Sequence, residues 1–301
     1  MGESSHYSLT LSHQIKIIRG EILAGVHSQK VPSVLIFTDL DGTLLDHHTY
    51  SFEPALPALK ALKEKNIPLI ICTSKTRAEI EKWRLELNND HPFISENGGA
   101  IFIPKGYFSH RFCFEREKDN YLVIELGTPY SQLREILNRI RSSLQLGLKG
   151  FGDLSFKEVA RLCGFSPEEA RLAKKREYDE PFLLDEESAI QKVQEMARLS
   201  NLQVSRGGRF FHLMGENDKG EALRLLTDIY REKTEHIETI ALGDSLNDLP
   251  MLHAANHPVL VQKPDGSYNP EVKLPSLHLA PGIGPAGWCE SVLELLNKLL
   301  Q

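Results

Sequence analysis

Two short apolar runs, each ending in acidic residues, constrain this chain more than any other feature. Val34, Leu35, Ile36 and Phe37, bounded by Pro32 before and TDLDGT after, read as a buried strand that delivers Asp39 and Asp41 at its carboxyl end. Much later, TIALGD repeats the arrangement and runs into SLND, which places Asp244, Asn247 and Asp248 together. Residues two apart in an extended segment point to one side, and Gly42 and Thr43 turn the chain so that Asp39 and Asp41 approach a common point. Acids and glycines are also common in ordinary loops, so the recurrence at two strand ends is what matters. Several acids at such ends make a poorly neutralised site, which a hard divalent cation with oxygen ligands relieves. Magnesium suits carboxylates, a backbone carbonyl, water and phosphate; zinc suits the set less, because no compact His or Cys cluster accompanies these acids.

The segments between follow a strand, loop, helix order. EPALPALKALKEKN spaces Leu56, Leu59 and Leu62 as a helix, IPLIIC is a second buried strand, and TSKTRAEIEKWRLELN is a second helix. HPFISENGGAIFIP reads as a strand, a tight turn at two glycines and a returning strand. In such a fold the chemistry sits at the carboxyl ends of the parallel strands. From about residue 109 the pattern changes: YLVIEL is a strand, SQLREILNRIRSSL a helix, SFKEVARLCG a short helix stopped by its glycine, SPEEARLAKKREY a helix starting at Ser166, and RFFHLMG a strand before the helix in ENDKGEALRLLTDIY. This predicts a mixed cap over residues 109–214, inserted between core segments 31–108 and 215–301. HPVLVQKP supplies a further strand, Lys263 to Gly287 a long loop near the site, and PAGWCESVLELLNKLL a closing helix. In residues 1–30, Leu11, Ile15, Ile18, Ile22 and Leu23 recur at helical spacing, which leaves either an appended helix packed on the core or on another subunit, or a partly disordered extension.

With 301 residues, 41% hydrophobic, the chain can bury one large core or two moderate ones. A net charge of -6 gives no support to nucleic acid or an anionic membrane as partner, so an anionic substrate needs a local positive site. The absence of a long apolar run or a signal-peptide pattern predicts a soluble, cytoplasmic protein, and the scattered Cys72, Cys113, Cys163 and Cys289 read as free thiols in a reducing compartment. A monomer and a homodimer are equally compatible with the sequence.

Lys219, at a predicted helix start, is the positive counterpart of the acids, and Thr73 and Ser74 after the second strand supply hydroxyl and amide donors. Together these meet the needs of phosphoryl transfer. FTDLDGT, CTS, Lys219 and GDSLND, in this order and separation, resemble the four motifs of the haloacid dehalogenase superfamily. The resemblance implies an α/β fold, a Rossmann-like three-layer core with an inserted α/β cap of type 2B. TSKTRAEIEKWRLEL, PFISENGGAIFIPKGYF, REYDEPF and GGRFFHLMG, within residues 31–258, more closely resemble the family of mannosyl-3-phosphoglycerate phosphatases; the first 30 residues and the long loop after His257 depart from it.

The resemblance implies that Asp39 is the nucleophile, forming an aspartyl phosphate, and that Asp41 is general acid and then base. It implies Mg2+ held by Asp39, the Asp41 carbonyl, Asp244 and Asn247 or Asp248, and a phosphoryl group bound by Thr73, Ser74 and Lys219. The implied substrate is a small phosphorylated sugar-glycerate; mannosyl or glucosyl preference stays open, as do a broader sugar-phosphate phosphatase, a phosphomutase and a binding protein without turnover. Arg176, Glu177, Asp179, Arg209 and His212 are the candidates for reading the substrate from the cap, since a carboxylate favours an arginine fork and hydroxyls favour acidic acceptors. Lys75, Arg77, Glu96 and Asn97 are candidates from the core. Arg176 and Glu177 read equally as solvated helix charges, His212 as a satisfied strand histidine, and Arg77 as a partner of Glu81. Tyr178, Phe210 and Phe211 read as packing rather than as a sugar platform.

Overall fold

Strand β1 (Val34–Thr38) is five consecutive buried residues whose side chains alternate between two cores. Val34 and Ile36 join Ala58, Ile80, Trp288 and Val292 on one face, while Leu35 and Phe37 join Ala222, Leu226 and Met251 on the other. The run lacks polar alternation because helices cover both faces of its sheet. The structure is a computed structural model that describes residues 33–207, 209–232 and 236–301, so the helix expected within residues 1–30 lies outside the described residues.

After β1 come α1 (Leu56–Glu64), β2 (Leu69–Cys72), α2 (Arg77–Glu86), β3 (Phe93–Ser95), β4 (Ala100–Pro104), β5 (Arg116–Lys118) and β6 (Tyr121–Glu125). The middle of the chain forms α3 (Tyr130–Leu144), β7 (Leu148–Gly150), α4 (Phe156–Cys163), α5 (Pro167–Ala173), β8 (Asp179–Leu184), α6 (Ile190–Arg198), β9 (Gln203–Gly207) and β10 (Phe210–Met214). It closes with α7 (Lys219–Arg231), β11 (Glu238–Gly243), α8 (Leu249–Ala254), β12 (His257–Gln262), β13 (His278–Ile283) and α9 (Gly284–Leu299). A nine-stranded sheet runs β13-β12-β11-β1-β2-β3-β4-β6-β5, parallel as far as β3 and antiparallel beyond it. Helices α1, α2 and α9 lie on one face and α7 and α8 on the other, which makes the expected three-layer core.

A second, antiparallel sheet runs β7-β8-β10-β9. Its Phe182, Phe211 and Leu213 pack with Leu133 and Leu137 of α3 and Val193 of α6. The opposite face, with Pro181, Ser205 and His212, turns toward the carboxyl ends of β1 and β2. The inserted unit begins later than residue 109: β5 and β6 hydrogen-bond through β4 into the large sheet and extend its antiparallel side, which starts at β4, so the change of pattern there does not open a new sheet. Two further expectations are corrected. The segment from Lys263 to Gly287 is not all loop, since it contains β13 and the first turn of α9, and the helix opening at Ser166 ends at Ala173, so Arg176 and Glu177 lie beyond it.

Candidate active site

The carboxyl ends of β1, β2 and β11 meet the start of α7, and each contributes one part of the site. Asp39 follows β1 directly, its amide bonded to the Leu242 carbonyl of β11 at 3.0 Å. Lys219 opens α7, capped by Asp218, and its ammonium lies 2.8 Å from Asp39 Oδ1 and 2.6 Å from Asp248 Oδ1. All three side chains are buried. Burial alone would lower the pKa of this ammonium, but Asp248 and Asp39 outweigh it and hold it raised, so the lysine stays charged. Asp248 Oδ2 also accepts from the amides of Asp244 and Ser245, both at 3.1 Å, which shapes the loop after β11.

Carboxylate oxygens of Asp39, Asp244 and Asp248 lie within 4.8 Å of one another. Burial, then Asp248 and Asp39, push the Asp244 carboxyl up to about 8. One lysine cannot neutralise three carboxylates, and the donors are all oxygen, a set that fits a hard divalent cation. Gly42 has φ +77 in the turn after β1, and a Cβ there would come within 3.1 Å of Asp244 Oδ2, so glycine lets this turn pass beside the acids.

Asp41 stands at the open side, its Oδ2 2.9 Å from Lys75 Nζ and its Oδ1 buried without a partner. Burial raises its carboxyl, Lys75 opposes this and Asp39 adds to it. Thr73 is buried at the end of β2, and the Ser74 carbonyl receives Arg176 Nη1 at 2.8 Å. Asn97 joins the set through Asn247, whose Nδ2 donates to its Oδ1 at 3.2 Å. A cavity of about 270 Å³ lies over these groups, lined from the core by Asp39, Asp41, Ser74, Lys75, Asn97 and Asn247. From the inserted unit come Phe151, Phe165, Arg176, Phe210 and His212.

The other candidates fall elsewhere. Arg77 pairs with Glu81 at 2.8 Å, Asp119 at 2.9 Å and Glu177 at 3.2 Å; Glu177 also receives Arg116 and Lys118, so both belong to a surface network that ties α2 and β5 to the inserted unit. Glu96 is fully buried and accepts the amides of Glu177 and Tyr178. Burial, against the pull of Arg176, pushes its carboxyl up to about 8. Asp179 is buried behind the cavity wall, against His212. Arg209 is exposed on the turn between β9 and β10, outside the cavity lining. Lining residues that sequence reasoning missed include Glu79, Phe151, Phe165 and Ser205, and Phe210 lines the cavity instead of only packing. Glu79 had a signal, the T-x-x-E spacing from Thr76 that marks the capping box of α2; the aromatic residues had none.

A buried aspartate beside a lysine, a second carboxyl at the mouth and an acidic oxygen cluster, all at the carboxyl ends of a parallel sheet, define a hydrolase of the phosphoryl-transfer class. Residues 36–124 and 168–268 match the haloacid dehalogenase-like hydrolase family. A glucosyl-3-phosphoglycerate/mannosyl-3-phosphoglycerate phosphatase of Methanococcoides burtonii is 54% identical over 88% of this chain and 97% of its own. A mannosyl-3-phosphoglycerate phosphatase of Pyrococcus horikoshii is 40% identical over 75% and 90%. A Bacteroides thetaiotaomicron phosphatase of the haloalkanoate superfamily shares the fold, with a TM-score of 0.65 at 20% identity over 90% of this chain and 98% of its own. The chain belongs to the haloacid dehalogenase-like hydrolase family.

Proposed function

We propose that this protein hydrolyses a sugar 3-phosphoglycerate, either mannosyl-3-phosphoglycerate or its glucosyl analogue, to the sugar glycerate and inorganic phosphate. One observation carries the reading: one cavity is lined by Asp39 and Asp41 from the core and by Arg176 and His212 from the inserted unit, so a phosphate and a polar organic group fit together. The names of the relatives supply the particular esters.

In this reading Asp39 attacks phosphorus, and the bond from phosphorus to the glycerate oxygen breaks as an aspartyl phosphate forms. Asp41 gives its proton to the departing oxygen and later takes one from the water that releases phosphate and restores Asp39. Its buried, unpartnered Oδ1 and raised pKa suit a carboxyl that must carry that proton. Lys219 keeps Asp39 oriented and offsets its charge, while Thr73, the Ser74 amide and Lys219 hold the phosphoryl oxygens. Asp39, the Asp41 carbonyl and Asp244, backed by Asn247 and Asp248, would hold Mg2+. When bound, the ion supplies neutralisation of the phosphoryl oxygens and alignment of the carboxylate with phosphorus.

The inserted unit serves as a cap that excludes water and reads the organic half of the substrate. Buried Cys72 and Cys289 are free thiols, which suits the reducing setting of a cytoplasm. Among the described residues no helix is long and apolar enough to cross a membrane. Phosphate release from mannosyl- and glucosyl-3-phosphoglycerate, with and without magnesium, tests the proposal, with Asp39→Asn as control. Magnesium-dependent release lost in the variant is expected, and the ratio of rates gives the sugar preference. Cleavage of simple phosphoesters but neither sugar ester would leave the chemistry standing and overturn the substrate.

A further inference from the structure

His212 lies mid-strand in β10, and the register sets Ser205 of β9 on one side of it and Pro181 of β8 on the other. All three line the cavity with Phe210, so this cross-strand row is the face that the inserted sheet offers to a ligand. The imidazole is not free to turn, because its Nδ1 lies 2.7 Å from Asp179 Oδ2. Asp179 is fully buried, and Arg176 Nη1 stands 3.5 Å from the same oxygen. With Nδ1 donating to the Asp179 carboxylate, the arrangement that Arg176 beside the same oxygen supports, Nε2 is the ring's second polar atom. Nε2 is left with no hydrogen-bond partner among the described residues, and it is not among the buried unpartnered atoms, so it is open to the cavity.

Arg176 is committed differently. Its Nε donates to the Ala173 carbonyl at 2.9 Å and its Nη1 to the Ser74 carbonyl at 2.8 Å, which pins the guanidinium beside the phosphate loop. The glycerate is bonded to the phosphate and therefore falls near Arg176, whose Nη2, not used in these bonds, can donate to a carboxylate. The sugar, further from phosphorus, then reaches the row on β9 and β10. Phe151 and Phe210 meet there edge to face, 5.0 Å between centroids, and offer an apolar wall beside the polar groups, the mixture a pyranose needs.

We propose that His212 binds a sugar hydroxyl through Nε2, and that Asp179 is a positioning residue that fixes the ring for this contact. The proposal rests on the sugar 3-phosphoglycerate reading. Asp39→Asn, which removes turnover, allows dissociation constants for mannosyl-3-phosphoglycerate and for 3-phosphoglycerate, which lacks the sugar, to be measured calorimetrically with magnesium present. His212→Asn in this background keeps a donor for Asp179 but replaces nothing at Nε2. It lowers the preference for the sugar ester about tenfold, the worth of one hydrogen bond. His212→Gln, whose amide reaches the Nε2 position, recovers that preference to within about threefold. Asp179→Asn lowers the same ratio and adds nothing in the double variant with His212→Asn. Equal weakening of both ligands, or equal recovery by Asn and Gln, overturns the proposal, because the ring then only packs; the Asn and Gln contrast decides alone if Asp179→Asn does not fold. If wild-type protein releases no phosphate from the sugar ester and the Asp39→Asn form does not bind it, the proposal falls together with the reading beneath it.

Discussion

Lys219 carries the most consequence per atom in this structure. It is fully buried between Asp39 and Asp248, with Asp244 beside them, so its removal leaves carboxylates to repel one another in a dry site. Lys219→Met keeps the volume and removes the charge. We expect it to cost roughly 3–5 kcal/mol of stability, as broken buried ion pairs do, and to abolish phosphate release. Added magnesium should raise the melting temperature of this variant, because a ligand bound only by the folded state stabilises it. Thermal melts with and without the ion check this, and an unchanged melting temperature in the variant would contradict the charge argument. At this scale the sequence was most legible where function and local pattern coincide. Asp39, Asp41, Thr73, Lys219, Asp244 and Asp248 each stand at the end of a recognisable strand or helix start. Arg77 was legible in its other reading, as the i,i+4 partner of Glu81; Glu96 and Glu177 were substrate candidates whose partners lie in distant segments, and no local pattern reveals that Glu96 accepts amides from Glu177 and Tyr178.

The connection from α2 to β3 shows what an element adds. His91 sits there with Nδ1 2.6 Å from the Tyr107 hydroxyl, which lies 2.8 Å from that of Tyr230, so the turn is fastened to α7. Burial, and then the Arg84 guanidinium, push the imidazole down to about 4. The unfolded chain binds this proton near pH 6.5 and the folded chain only near pH 4, so the contribution is complete above pH 6.5 and is lost as pH falls to about 4. The full effect is at most about 3 kcal/mol. His91→Gln should therefore show a shallower loss of stability between pH 6.5 and 4 than wild type, read from urea midpoints; identical slopes would remove His91 from the account. Element types were legible from period and punctuation, as with α4, which ends at Gly164 with φ +73. Which sheet a strand joins was not: YLVIEL was recognisable as a strand, but its pairing with β4 depends on hydrogen bonds that its own residues do not announce. Edge strand β13 was hidden for a related reason, since its prolyl and glycyl residues read as loop.

For the whole molecule, the decisive feature is the seam between the large sheet and the cap, because the cavity exists only while the two stay together. The seam is polar and long in sequence separation: Arg176 donates to the Ser74 carbonyl, Thr76 to the Leu172 carbonyl at 3.0 Å, and Lys82 pairs with Glu169 at 3.3 Å. Glu96 is its buried centre, held by a turn in which Glu96, Asn97 and Gly98 all have left-handed φ values of 47, 58 and 90°. Gly98 is required there, since a Cβ would lie 2.1 Å from the Asp218 carbonyl that leads into Lys219. One short turn thus places Asn97 in the site, seats the start of α7 and grips the cap. Glu96→Ala would strip the amides of Glu177 and Tyr178 of their acceptor, at roughly 1–3 kcal/mol for each buried group left unpaired. That penalty falls on the closed arrangement and far less on an opened one in which water reaches both amides. We therefore expect the variant to keep its two sheets folded, to show a larger radius of gyration in solution scattering, and to raise KM for the sugar ester while its response to magnesium persists. An unchanged scattering profile with lost activity would instead place Glu96 in the chemistry, against the buried position and backbone partners that now assign it to the seam.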